Sequence, residues 1–337
     1  MKLRKISLVV LFTLSVGLVA EVSAGHKPTP TAKPTIAATA TPAFTPTPTP
    51  MANRTPTLAP GAVSISILDP ADGASIGADR ANVRGIFQGP PNTGIAVNGR
   101  LAYASGGKFV LNALPLVAGS NTITAIATSP TGQAAAATAR VHATGAAPDL
   151  VLNADVTSGT SPLVVTFTYG FRPSLPVQRL AIDFDGDGRD DFSTKKPPSA
   201  VQNSYTHAGL YMATLTITDR NGQVYKAATA IEVTSGDGRD ALFHSVWNAM
   251  TASLARRDIA AALQSLNVRA GEKYAPIFNN LSFDLPAIVA SYSDPQFVSE
   301  GPGYLEYAVA RVIDGETKIF LVYLLRDADG VWRMDSF

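Results

Sequence analysis

Two antiparallel β-sandwiches and a C-terminal α+β module, carried behind a signal peptide and a disordered Thr/Pro-rich linker, make up the multidomain architecture that this sequence predicts. Three observations lead there. From Ala62 to Thr234, short runs alternate apolar with polar residues and end in Asp-Pro, Asp-Gly or Asn-Gly turns, the pattern of half-buried strands. From Phe243 the apolar period lengthens to three and four residues and then returns to two, so helices precede an antiparallel meander. Ahead of Ala62 almost no large apolar side chain is available to bury a core.

Lys2, Arg4 and Lys5 precede an apolar stretch from Ile6 to Ala20, and Val22-Ser23-Ala24 offers the small residues of a cleavage site, so residues 1–24 read as a signal peptide. The apolar stretch is shorter than the roughly 20 residues that span a bilayer, and no later segment is apolar enough to do so. The chain has no cysteine, which excludes both a disulfide scaffold and a lipid anchor on a cleavage-site cysteine. An exported bacterial protein, periplasmic or extracellular, is the expected class. Loss of the leader removes three basic residues and Glu21, turning the formal charge of +1 into about −1. With basic residues scattered along a near-neutral chain, nucleic acid is not an expected partner. Residues 25–60 repeat Thr-Pro units; at ~3.1 Å per residue in polyproline II they reach about 110 Å, the length of a stiff spacer.

In the first sandwich, 61–146, Val63, Ile65 and Ile67 share one face against Ser64 and Ser66, Asn98-Gly99 fits a tight hairpin, and Gly119-Ser120 leads into a strand from Asn121 to Thr128. The order ILDPADGASI, VRGIF, IAVNGRLA and GGKFVLNALPLVAGSNTITAIATSPTG resembles the bacterial Ig-like accessory domain of glucodextranase type, a resemblance that implies a fold and no substrate. In the second, 148–235, Leu163, Val165, Phe167 and Tyr169 face one way, as do Tyr211, Ala213, Leu215 and Ile217. With TSGTSPLVVTFT, IDFDGDG and YTHAGLYMATLTITDRNG, this module resembles a polycystic-kidney-disease-type (PKD) β-sandwich. It departs from that pattern in carrying Ile182 where a Trp often stands and in having extra aspartates after the Gly-Asp-Gly turn.

In the third module, 237–337, Phe243, Val246, Trp247, Met250 and Leu254 form one helical stripe. Arg256-Arg257-Asp258 marks a corner into a second helix with Ile259, Leu263 and Leu266 as its apolar face, and a further helical piece is expected around Gly271 to Leu281. Leu305, Tyr307 and Val309 then alternate, Asp314-Gly315 makes a hairpin, Ile319 to Leu325 is apolar on both faces, and Asp329-Gly330 turns into Trp332 and Met334. The order of helices and strands, with AMTASLARRDIAAALQSL and FLVYLLRDADGVWRMDSF, resembles the cone-shaped fold shared by nuclear transport factor two and ketosteroid isomerase.

The one stretch whose residue chemistry points to a ligand is DFDGDGRDDF. Leu180, Ile182 and Phe184 are expected in the core, leaving Asp183 and Asp185 on the outer face. Asp183, Asp185 and Asp187 then take the first, third and fifth places of a calcium loop, Gly188 the sixth, the Arg189 carbonyl the seventh and Asp191 the ninth, with Asp190 as an additional candidate. The twelfth place holds Thr194 instead of glutamate, so Ca2+ is expected with modest affinity. The alternative is a polar turn whose aspartates cap main-chain amides and pair with Arg189, Lys195 or Lys196.

His142 and His207 lack companions at zinc spacing. In the third module His244, Tyr274 and Asp284 show no acid-base partner at recognisable spacing, and Tyr304, Tyr307, Tyr323 and Trp332 read as core or pocket lining. No catalytic residue is assigned. The expected function is a non-catalytic binding or scaffolding protein contacting extracellular polysaccharide or protein. Two alternatives stay open: an isomerase or hydrolase of a small hydrophobic molecule with its site in the cone-shaped domain, or a protein that homodimerises through that domain.

Overall fold

The computed structural model describes residues 62–172 and 176–337; the leader and the Thr/Pro-rich segment lie outside the described residues. The described residues belong to one compact unit that holds three separate apolar clusters.

The first cluster fills a sandwich of nine strands. These are β1 (Ser64–Asp69), β2 (Ser75–Ile76), β3 (Arg80–Gln88), β4 (Gly94–Val97), β5 (Arg100–Leu101), β6 (Tyr103–Ser105), β7 (Lys108–Pro115), β8 (Gly119–Thr128) and β9 (Ala134–Ala143). One sheet runs β1-β3-β7-β6 and the other β2-β9-β8-β4-β5. Val83, Ile95, Phe109 and Ile123 are fully buried between them, with Val63, Ile65 and Ile67 packed alongside, so the alternation in β1 points where its pattern indicates. Asn98 and Gly99 both take positive φ between β4 and β5, the geometry of a two-residue hairpin turn.

The second sandwich contains β10 (Leu150–Ala154), β11 (Ser158–Thr160), β12 (Leu163–Phe171), β13 (Val177–Asp183), β14 (Phe192–Thr194), β15 (Ala200–Tyr205), β16 (Gly209–Asp219) and β17 (Val224–Thr234). Its sheets are β10-β12-β15 and β11-β17-β16-β13-β14. Val165, Phe167, Leu180, Ile182, Leu215 and Ile217 fill the space between them.

Strand β17 passes into helix α1 (Gly236–Ala255) through Ser235 alone, whose hydroxyl accepts from the Gly238 N–H and caps the helix. The predicted stripe Phe243, Val246, Trp247, Met250 and Leu254 is buried. Arg256 and Arg257 make the corner, Arg257 with positive φ, and Asp258 caps α2 (Ile259–Leu263). That helix has five residues and ends before Leu266, which instead forms a bridge to Met334. Helices α3 (Val268–Asn280) and α4 (Leu285–Ala290) follow, then the antiparallel sheet β18 (Gln296–Gly301), β19 (Tyr304–Ile313), β20 (Glu316–Arg326) and β21 (Trp332–Ser336). Val322 and Leu324 face the helices, whereas Ile319 and Leu321 point away, 70% and 45% exposed. Strands predominate over helices in the described residues as a whole.

The modules meet by capping one another's open sheet edges. Beyond the short β11, the edge of β17 is unpaired by strand, and two asparagines from the first sandwich close it. Asn112 donates to the Ala230 carbonyl at 3.0 Å and accepts from the Ala230 N–H at 2.8 Å, while Asn82 donates to the Ala228 carbonyl at 2.7 Å. Asn92 does the same for the outer edge of β21, holding both main-chain groups of Trp332 at 2.9 Å. An amide side chain offers one donor and one acceptor side by side, as a neighbouring strand would. At the edge of β6 the caps are charged: Glu232 accepts from the Ala104 N–H at 2.9 Å and Arg326 donates to the Ala102 carbonyl at 2.6 Å. Gly94 and Gly330 lie backbone to backbone where the first and third modules touch; a Cβ on Gly94 would overlap the Gly330 and Val331 main chain.

Candidate functional site

Strand β13 ends at Asp183, and the chain doubles back to β14 through two glycines with φ of +82° and +90°, Gly186 and Gly188. This fold brings carboxylate oxygens of Asp183, Asp185 and Asp187 within 4.8 Å of one another, the one such group of three potential metal ligands among the described residues. Asp183 is buried, 8% exposed, and does not lie on an open outer face as expected, because the loop folds over it. Its two oxygens accept from the Gly186 N–H at 2.7 Å and the Gly188 N–H at 2.8 Å. Asp185 accepts from Asp187 N–H and Asp187 from Arg189 N–H, each through one oxygen.

The remaining aspartates take other partners. Asp191 accepts from the Phe184 N–H at 2.7 Å, and Asp190 pairs with Arg179. Tyr205 donates to the Phe184 carbonyl at 2.9 Å, and burial pushes its hydroxyl up to about 12. Both main-chain groups of Phe184 are thus held, which fixes the start of the loop. Thr194, at the twelfth place, turns to Lys196. The second oxygens of Asp185 and Asp187 have no protein partner among the described residues. An all-oxygen set of this kind fits a hard cation such as Ca2+, and the same aspartates also serve as caps of main-chain amides.

In the third module the candidates scatter. Tyr274 is core, its hydroxyl donating to the Phe337 carbonyl at 2.7 Å and its ring stacked on Phe337. Asp284 stands exposed before α4 without a side-chain cap. His244 lies edge-on to Phe243 and Tyr307. Tyr323 donates to Glu306 at 2.5 Å on the outer face of the sheet, and Tyr304 lies on that same face. What sequence reasoning missed is the pair Tyr307 and Asp240. The Tyr307 hydroxyl donates to the Asp240 carboxylate, and Arg239 approaches the same carboxylate at 3.0 Å while stacking 3.5 Å over the Phe297 ring. Burial opposes the ionisation of Asp240, but Tyr307 and Arg239 outweigh it and hold the carboxyl below its usual range; burial, then Asp240, push the Tyr307 hydroxyl up.

A second feature that no single module forms is a groove of about 1250 Å³ where all three meet. Tyr103, Glu232, Arg239, Glu300, Arg326 and Trp332 line it together with glycine- and proline-rich loops. No sequence signal marks it, since its walls come from segments more than 200 residues apart.

No protein-family model matches the chain, and no curated protein matches it. Solved structures resemble parts of it. Fibronectin(III)-like modules of Clostridium thermocellum CbhA share 12% identity over 52% of this chain and 96% of theirs, with a TM-score of 0.22. The PKD1 domain of the Vibrio cholerae metalloprotease PrtV shares 27% identity over 26% of this chain and 98% of its own, with a TM-score of 0.20. Dimeric latent PorU from Porphyromonas gingivalis shares 13% identity over 52% of this chain and 20% of its own, with a TM-score of 0.30. Among the described residues no helix is long and apolar enough to cross a membrane.

Proposed function

We propose that this chain is an exported, non-catalytic binding scaffold that contacts extracellular polysaccharide or protein, with Ca2+ held in the loop that follows β13. The observation that carries the reading is the mutual capping of sheet edges, which joins three modules into one body and creates a composite groove that none has alone. Ligand sites favour such junctions. In this reading the first sandwich is the glucodextranase-type Ig-like module, the second the PKD-type module and the third the cone-shaped fold; the order α1–α4 then β18–β21 supports the last. The test is binding of the purified chain to arrays of polysaccharides and of envelope proteins. Retention on neither surface sinks the proposal.

For the loop, Asp183, Asp185 and Asp187 would supply carboxylate oxygens, and Arg189 a carbonyl. Calcium at tenfold above its dissociation constant should stabilise the chain by about 1.4 kcal/mol, because a ligand that binds the folded form alone shifts unfolding by mass action. The melting temperature is therefore expected to rise between chelator and millimolar calcium, and Asp185→Asn with Asp187→Asn should abolish the rise. An identical melt in both buffers leaves the loop as a polar turn.

Two observations favour the other readings. Tyr307 and Asp240 are titratable groups in hydrogen-bond contact, which favours an isomerase or hydrolase; turnover of a small aromatic ester by the purified chain, lost in Tyr307→Phe, would establish it. Val312, Ile319 and Leu321 expose an apolar outer sheet face, which favours a homodimer; sedimentation as a monomer at high micromolar concentration would end that reading.

A further inference from the structure

We propose that the three-module groove is the polysaccharide site and that it takes a neutral glycan chain; this rests on the binding reading above. The first argument is charge. The groove carries Arg239 and Arg326 against Glu232 and Glu300, a balance that selects for neither an acidic nor a basic ligand. The second is the surface offered. Tyr103 and Trp332 bring two aromatic side chains to the groove, and both are held in place: the Tyr103 hydroxyl hydrogen-bonds Thr157 at 2.6 Å, and the Trp332 side chain packs against the apolar cluster of the third module. Fixed rings suit the C–H faces of sugars, because little side-chain entropy is lost on stacking.

The third argument is the polar groups left over. Glu300 accepts no hydrogen bond from protein among the described residues, its nearest cation being Arg239 at 3.7 Å, so its lone pairs are free for sugar hydroxyls. Arg239 is immobilised by Phe297 and Asp240 and presents its remaining donors beside Glu300. The Trp332 indole N–H likewise has no protein partner among the described residues, and it is not one of the buried unpaired atoms, so it reaches solvent. An extended peptide has no free main-chain groups to pair with along β6. The β6 edge in the groove is closed, its Ala102 carbonyl and Ala104 N–H being taken by Arg326 and Glu232.

The two tryptophans make the test direct. Trp247 is buried in the core at 5% exposure, so acrylamide quenching of the full chain reports chiefly on Trp332. The probes are soluble hexasaccharides of β-1,4-glucose, α-1,4-glucose, β-1,4-xylose, β-1,4-mannose and β-1,4-N-acetylglucosamine. At least one is expected to protect Trp332, and Glu300→Gln, a partly exposed change, should weaken its binding about tenfold, as for the loss of one charge-assisted hydrogen bond. Glycan binding that leaves Trp332 unprotected and is indifferent to Glu300→Gln overturns the groove assignment alone. No glycan binding by the parent chain removes the polysaccharide reading with it, as does protection of Trp332 by peptides only.

Discussion

Glu232 sits with its side chain among three modules, and its chemistry follows from that position. Burial pushes its carboxyl up, and the Arg326 guanidinium 3.9 Å away and the Ala104 N–H pull only part of the way back. A raised folded value means that the contribution of this group is fully present below the ordinary glutamate range and is lost as pH rises through the folded value. The pair is therefore sensitive to loss of its cation. Arg326→Ala strips the Ala102 carbonyl of its donor and leaves an uncompensated buried carboxylate, so the chain should lose about 3 kcal/mol at pH 7. The loss should be smaller near pH 4, where Glu232 accepts a proton, and Glu232→Gln combined with Arg326→Met should recover much of it. Denaturant melts of the three variants at both pH values check this; an equal loss at pH 4 and pH 7 would show that Glu232 is not the group responsible. Nothing in AIEVT distinguishes this glutamate from a solvent-facing one, since alternation tells which side of a strand a residue occupies and not what covers that side.

The contact between the β4 hairpin and the β20–β21 turn is built on two glycines. Gly94 and Gly330 allow main chain to approach main chain, and Gly330 also needs its φ of +86°. A methyl group on Gly94 has only backbone to push against, so it cannot be relieved by a side-chain rotation. Gly94→Ala should undock the first module from the third while each apolar cluster stays intact. The expected readouts are a larger radius of gyration by X-ray scattering and faster amide exchange at Trp332, whose N–H would lose Asn92, with near-parent exchange at Phe109 and Val322. Unchanged exchange at Trp332 would mean that the contact tolerates the methyl. Sequence reading located the Asp329-Gly330 turn from its Asp-Gly signal, but it had no signal for Gly94, which opens β4 four residues before the Asn98-Gly99 turn. It could not pair one with the other, because glycine chosen for close approach looks the same as glycine chosen for φ.

Considered together, the three modules are coupled by side-chain caps at β17, β21 and β6, by the glycine contact, and by the continuous passage of β17 into α1 through Ser235. Several part-buried hydrogen bonds at ~1 kcal/mol each give a coupling comparable with the stability of a single module. Residues 62–337 should accordingly unfold in one calorimetric transition in the parent chain and in separated transitions in Gly94→Ala. Well-separated transitions in the parent would return the molecule to a row of independent bodies, which is how its sequence reads when each apolar cluster is counted alone.

Apolar periodicity in the chain specified the strands and the long helix, down to the inward stripe from Phe243 to Leu254 and the alternation of Val165, Phe167, Leu215 and Ile217. Those patterns are local, set by 2.0 and 3.6 residues per repeat, and a linear reading contains them. Residue chemistry also singled out Asp183, Asp185 and Asp187, whose two-residue spacing, with Gly186 between the last two and Gly188 after them, brings them together within one turn. The partners of Asn82, Asn92 and Asn112, the burial of Glu232 and the walls of the groove came from folding, because they join segments between 118 and 240 residues apart in sequence. Contacts at that distance obey no period, and they exist only where finished sheets present unpaired edges to one another.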